Sequence, residues 1–132
     1  MKYLLDTNIC IYIIKKKPEA VIKRFLKMKP DLIGISSITV SELYYGVAKS
    51  SKPNENAIAL EQFILPLTVI NFNKEDSIAY GKLRARLEQK GKLIGAMDML
   101  IAAQALSRDL ILVTNNEREF KKVEELAIEN WV

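Results

Sequence analysis

At 132 residues, 49% hydrophobic and 27% charged, the chain has the composition of one globular domain with a sizeable core, and no apolar run is long enough to span a bilayer. A single cysteine, Cys10, and no histidine exclude an intramolecular disulfide, zinc sites built on Cys or His, and the Ser-His-Asp and Cys-His nucleophile arrangements. The net charge of +4, with a pI near 9.1, favours a polyanionic partner, and the opening Met1-Lys2 ahead of a strand-like run does not look like a signal peptide, so a cytoplasmic protein is expected.

Tyr3-Leu4-Leu5 reads as a short buried strand that stops on Asp6, with Thr7 and Asn8 able to cap the apolar, helix-compatible run Ile9 to Ile14. Pro18 opens a second helical stretch with Val21, Ile22, Phe25, Leu26 and Met28 on one side, ended by Pro30-Asp31. Leu32 to Ser36 is a β-type run. Ser36, Ser37 or Thr39 can cap the helix that follows, roughly Ile38 to Ala48. Lys49 to Asn56, with Pro53, reads as a loop, and Ala57 to Leu65 as a helix.

Leu67 to Phe72 is the third strand. Asn73 with Asp76 three residues on resembles a capping box, and Ala79, Leu83 and Leu87 then form a helical stripe down to Lys90-Gly91. Asp98 opens a helix over Met99 to Leu106, Leu110 to Val113 is the fourth strand, Asn115 to Glu125 forms short helical turns, and Leu126 to Trp131 is a last edge strand. Strands separated by helices throughout predict a single α/β domain over residues 1–132, a three-layer α/β/α sandwich with a mostly parallel sheet.

In such a sheet the ligand crevice lies beyond the carboxyl ends of the strands. Asp6 is placed there, although an isolated aspartate would serve equally to cap the next helix. Glu42, one turn into its helix, has Ile38, Tyr45 and Gly46 as neighbours at helical spacing, a face on which an unpaired carboxylate is costly to bury. Asp98 projects beside Ile101, Ala102 and Ala105, or else acts as a first-turn helix acid. After the fourth strand come Thr114-Asn115-Asn116-Glu117-Arg118-Glu119, where chemistry alone leaves Glu117, Glu119 and the carbonyl of Asn116 as alternatives. Carboxylates gathered in one crevice repel one another unless a cation neutralises them, and oxygen-only ligands predict Mg²⁺ or Mn²⁺. Lys15 to Lys17 and the spread Lys82, Arg84, Arg86, Lys90 and Lys92 could track a phosphate backbone or form plain solvated helix faces.

Leu5-Asp6-Thr7-Asn8 at the start, Ser36-Ser37-Ile38-Thr39-Val40-Ser41-Glu42-Leu43-Tyr44-Tyr45-Gly46, Asp98-Met99-Leu100-Ile101-Ala102, Thr114-Asn115-Asn116-Glu117-Arg118-Glu119-Phe120 and Glu129-Asn130-Trp131 together resemble the PIN-domain ribonucleases, and more narrowly the VapC toxins of type II toxin-antitoxin pairs, over essentially the whole chain. The resemblance implies an endoribonuclease dependent on Mg²⁺ or Mn²⁺. It carries the acidic site onto Asp6, Asp98, Glu42 and Glu119, with Asn8, Thr114 and Asn116 in support. Many PIN domains place an aspartate where this chain has Asn116, which bears on the fourth acid. The resemblance further implies a transfer RNA substrate cut in the anticodon region, with initiator transfer RNA suggested by the toxins of similar pattern, a homodimer, and a VapB-type antitoxin that inserts into the groove leading to the acids and binds operator DNA.

Two other readings share the fold: a non-catalytic RNA-binding or antitoxin-binding scaffold, and a DNA-directed nuclease. A receiver-type signalling domain would need an aspartate at the end of the third strand, where this chain has Asn71-Phe72-Asn73.

Overall fold

The sheet is built around β1 (Tyr3–Leu5), whose three residues are all buried, and the computed structural model describes residues 1–132. In chain order there follow α1 (Thr7–Lys15), α2 (Glu19–Lys27), β2 (Ile33–Ser36), α3 (Ser37–Ala48), α4 (Pro53–Ile64), β3 (Thr68–Ile70), α5 (Lys74–Gln89), α6 (Ala96–Ser107), β4 (Ile111–Val113), α7 (Glu117–Phe120) and β5 (Ile128–Glu129). The strands lie in the order β3-β2-β1-β4-β5 and every pairing is parallel, so the sheet is wholly rather than mostly parallel. Tyr3, Leu4 and Leu5 register with Ile33, Gly34 and Ile35 on one side and with Ile111, Leu112 and Val113 on the other.

Because side chains alternate across a strand, Leu4 and Leu112 enter one core with Leu83 and Leu87 of α5, Met99 and Ile101 of α6, and Phe120 of α7. Tyr3, Leu5, Ile33 and Ile35 enter the other, with Ile9 of α1, Val21 of α2, Leu43 of α3 and Leu60 of α4. Helices therefore cover both faces, which is what continuously apolar parallel strands require. Trp131 closes the second core edge-on against Tyr3, with ring centroids 5.4 Å apart. At Gly34 a Cβ would fall 2.9 Å from Ile70 Cδ1 and 2.5 Å from Met1 Sδ, so this strand position has no room for a side chain.

Several predicted boundaries move. Pro53 is the first residue of α4 rather than part of a loop, a position where proline's missing N–H costs nothing. Leu32 ends a 3-10 turn over Pro30–Leu32, and β3 is shorter than the apolar run that suggested it. α6 begins at Ala96, so Asp98 is its third residue and does not cap it; the cap is Gly95 and makes no side-chain hydrogen bond. The capping box forms as expected, Asn73 Oδ1 accepting from the Asp76 N–H at 3.0 Å and Asp76 Oδ2 from the Asn73 N–H at 2.9 Å. Gly91, at φ +64°, follows α5 in the left-handed region that favours glycine.

Candidate active site

Chain direction across the sheet reverses between β1 and β4, and the crevice beyond the carboxyl ends of these two strands is where ligands bind in open α/β sheets. Asp6 stands immediately after β1, 4% exposed, and Thr114 immediately after β4, fully buried. Thr114 Oγ1 donates to Asp6 Oδ2 at 2.5 Å, a short charge-assisted bond, and the Ile9 N–H donates to Oδ1 at 2.9 Å. Asp6 thus caps α1 and faces the crevice at once. Burial, the largest influence, pushes its carboxyl up from the ordinary 3.8 to about 6; the Thr114 and Ile9 hydrogen bonds oppose this, and the charges of Asp98 and Glu42 add to it.

Glu42 is half-buried on α3, and Thr7 Oγ1 donates to its Oε1 at 2.6 Å. The Thr7 hydroxyl also lies 3.4 Å from that of Thr39, one turn before Glu42 on α3. Asp98, half-buried, accepts no hydrogen bond from a side chain or backbone outside its helix; burial first, then the charges of Glu42 and Glu119, raise its carboxyl above the usual range. Glu119 on α7 is paired with Lys122, whose Nζ is 3.4 Å from each carboxylate oxygen.

Of the three alternatives after β4, Glu119 is the one whose charge helps to raise Asp98. Glu117 instead accepts from Asn130 Nδ2 at 3.1 Å, on the β5 side. Asn116 touches the site through its backbone, its N–H donating to Thr114 Oγ1 at 2.9 Å, and Asn8 is exposed on the first turn of α1. Cys10 is fully buried and burial raises its thiol, which leaves it inert as a nucleophile.

Asp6, Glu42 and Asp98 have no lysine or arginine within ion-pairing distance; the charges of Asp98 and Glu42 disfavour ionisation of Asp6, and that of Glu42 disfavours ionisation of Asp98. As they stand, no three acidic side chains are close enough to enclose one ion. Their charges interact over a longer range than a ligand bond, and like charges settle apart. The oxygen-only donor set fits a hard dication, with the carboxylates turning inward around it.

Thr39, which the sequence offered as a helix cap, and Lys122, which it did not single out, are site partners, the cap of α3 being Ser36. Both were within reach of helical spacing, Thr39 three residues before Glu42 and Lys122 three after Glu119. Beside Glu42 an apolar cavity of about 380 Å³ opens between α1, α3 and α4, lined by Ile11, Ile14, Leu43, Val47 and Leu60, with Lys15 also on its wall.

The signature of the family described as PIN domain matches residues 3–126. A protein named ribonuclease VapC2 from Haemophilus influenzae is 46% identical over 132 residues, covering 100% of this chain and 99% of the relative. One named tRNA(fMet)-specific endonuclease VapC from Salmonella typhimurium is 44% identical over 131 residues, 99% of this chain and 98% of the relative. Among solved structures, VapBC2 from Rickettsia felis, bound to a DNA fragment from its promoter, superposes with a TM-score of 0.93 at 44% identity, covering 100% of both chains.

Proposed function

The chain belongs to the PIN-domain family, and we propose that it is a VapC-type toxin, an endoribonuclease that uses Mg²⁺ or Mn²⁺ to hydrolyse phosphodiester bonds and so stops translation. The observation that carries this is that Asp6, Glu42 and Asp98 lie around the strand crossover near enough for charge to act between them, with no lysine or arginine paired to any of the three. Asp6 and Asp98 would hold the ion directly, with Glu42 and Glu119 as further ligands or partners. The ion, when bound, would acidify water and offset the charge that builds on the scissile phosphate, which allows hydrolysis without histidine. Thr114 and the Ile9 N–H fix both oxygens of Asp6, and Thr7 holds Glu42 from the neighbouring helix, so two carboxylates are oriented before substrate arrives.

The Salmonella relative's name directs the first substrate trial to initiator transfer RNA. The Rickettsia structure, VapBC2 on promoter DNA, supports a VapB-type antitoxin that binds operator DNA; a homodimer of this chain in that assembly is part of the same proposal. The apolar cavity beside Glu42 suits an antitoxin segment whose apolar side chains fill it and whose end covers the acids.

The test is cleavage by purified protein, freed of antitoxin, of total transfer RNA, ribosomal RNA and single-stranded DNA, in Mg²⁺ and then in EDTA. Transfer RNA should be cut in Mg²⁺ alone, and Asp6→Asn and Asp98→Asn should be inactive. Cutting in EDTA, or by both variants, would refute the mechanism, and selective cutting of DNA would refute the substrate.

A further inference from the structure

Asp76 lies outside the crevice and is fully buried at the start of α5, yet it is a junction of three elements. Its Oδ2 accepts from the Asn73 N–H at 2.9 Å, from Gln104 Nε2 at 3.2 Å and from Arg108 Nη2 at 3.2 Å, and its Oδ1 accepts a short bond from the Ser107 hydroxyl. Gln104, also fully buried, donates as well to the carbonyls of Ile70 at 3.2 Å and Asn71 at 3.3 Å, and Arg108 donates to Asn71 O at 3.0 Å. The end of β3, the start of α5 and the last turn of α6 are thereby tied to one carboxylate.

Gln104 keeps its NH₂ among three acceptors while its Oε1 is buried with no partner. An orphaned carbonyl is costly, so the fold accepts a loss to keep this junction.

α6 carries Asp98 near its other end, and six residues of helix put Gln104 ~9 Å along the axis from it. Nothing local fixes Asp98: its carboxylate receives no outside hydrogen bond, and the cap at Gly95 has no side chain. Between Asp98 and Gln104, α6 contributes Met99, Ile101, Ala102 and Ala103 to the core with Leu4 and Leu112; that apolar packing is non-directional, and the hydrogen bonds at the Asp76 end add the directional restraint.

We propose that Asp76 is a positioning residue for Asp98, setting the axial and rotational placement of α6, and with it the spacing of Asp98 from Asp6 and Glu42. This rests on the reading of Asp98 as a metal ligand.

The test measures Mn²⁺ binding from the electron paramagnetic resonance of the free ion, thermal stability, and backbone amide shifts over residues 95–98. It uses the wild type, Asp98→Asn, Asp76→Asn and the milder Ser107→Ala, with Val21→Ala as a destabilised control in the opposite core. Asp76→Asn should weaken Mn²⁺ binding by about 10-fold, as loss of a group that orients a metal ligand does. Ser107→Ala should weaken it less, both should move the amide signals at 95–98, and Val21→Ala should lose stability without either effect.

Unchanged Mn²⁺ affinity and unchanged signals at 95–98 in Asp76→Asn, whatever its loss of stability, would overturn the proposal. If Asp76→Asn does not fold, Ser107→Ala decides by the same two readings. Should Asp98→Asn bind Mn²⁺ as the wild type does, the metal assignment fails, and the amide signals alone then decide whether Asp76 places this end of α6.

Discussion

The carboxyl of Asp6 has both oxygens hydrogen-bonded and still rises to about 6, because burial outweighs the two bonds and the charges of Asp98 and Glu42 add to it. A folded value above the unfolded 3.8 means that the native state holds more protons than the unfolded chain between these limits. Ionised Asp6 therefore costs stability at pH 7, and that cost disappears as pH falls from about 6 toward 3.8. Asp6→Asn, which cannot ionise, should raise stability at pH 7 by about 1–2 kcal/mol, less than the full linkage because the amide nitrogen fits one of the two donors poorly. Urea unfolding at pH 7 and pH 5 checks this: the gain should shrink at the lower pH, and a destabilised variant at pH 7 would contradict it. Asp76 has the opposite sign. Burial pushes it up, but bonds from Ser107, the Asn73 N–H and Arg108 outweigh burial and hold it below the usual range, so its contribution is present at neutral pH and lost in acid below 3.8. The acids themselves could be read as a group from residue type and position. Which of Glu117 and Glu119 acts on Asp98 and which bonds Asn130 could not, because both follow β4 on the same short helix and differ only in where their side chains turn.

Helices and strands announced themselves wherever a local rule decides them. Asn73 and Asp76 are three residues apart and cap each other, and Ser36 caps α3 by accepting from the Ile38 N–H at 3.0 Å. The reading failed at Pro53, where a residue that breaks helices inside them begins one, and at Ala96, where nothing capable of side-chain capping marks the start. The tie between Thr7 and Glu42 spans 35 residues, and that between Asp76 and Ser107 spans 31; spacing rules do not reach so far. In β2, Gly34 is a position where the neighbouring strand decides. Gly34→Ala places a methyl group 2.9 Å from Ile70 Cδ1, at a strand whose end also receives the Gln104 bond. The Met1 side chain can swing away, but Ile70 is in the core, so a cost of ~1–3 kcal/mol is expected from overpacking. Denaturant unfolding measures it, and a midpoint equal to the wild type would show that Ile70 has room to move.

Across the molecule the positive charges are spent in two ways. Arg86 pairs with Glu125, Lys90 with Glu124 at 3.6 Å, and Arg84 with Glu88 at 3.2 Å, so much of the basic face of α5 is engaged within the chain rather than free for phosphate. Lys15, Lys16 and Lys17 at the end of α1, and Lys82 and Lys92, form no such pairs. The crevice has the reverse imbalance: Asp6, Glu42 and Asp98 lack a cationic partner, Asp6 is raised in part by the charges of Asp98 and Glu42, and Asp98 in part by those of Glu42 and Glu119. A dication that binds the native crevice and not the unfolded chain must stabilise the fold, by ~2.7 kcal/mol when present at a hundred times its dissociation constant. Melting followed against Mn²⁺ concentration should therefore show a rising midpoint for the wild type and none for Asp98→Asn. Protons compete for the same carboxylates, so at a fixed subsaturating Mn²⁺ concentration the rise should be smaller at pH 5.5 than at pH 7.5, falling away as Asp6 titrates near 6. An equal rise in Asp98→Asn would place the ion elsewhere on the surface, and a rise independent of pH would mean that Asp6 does not share it.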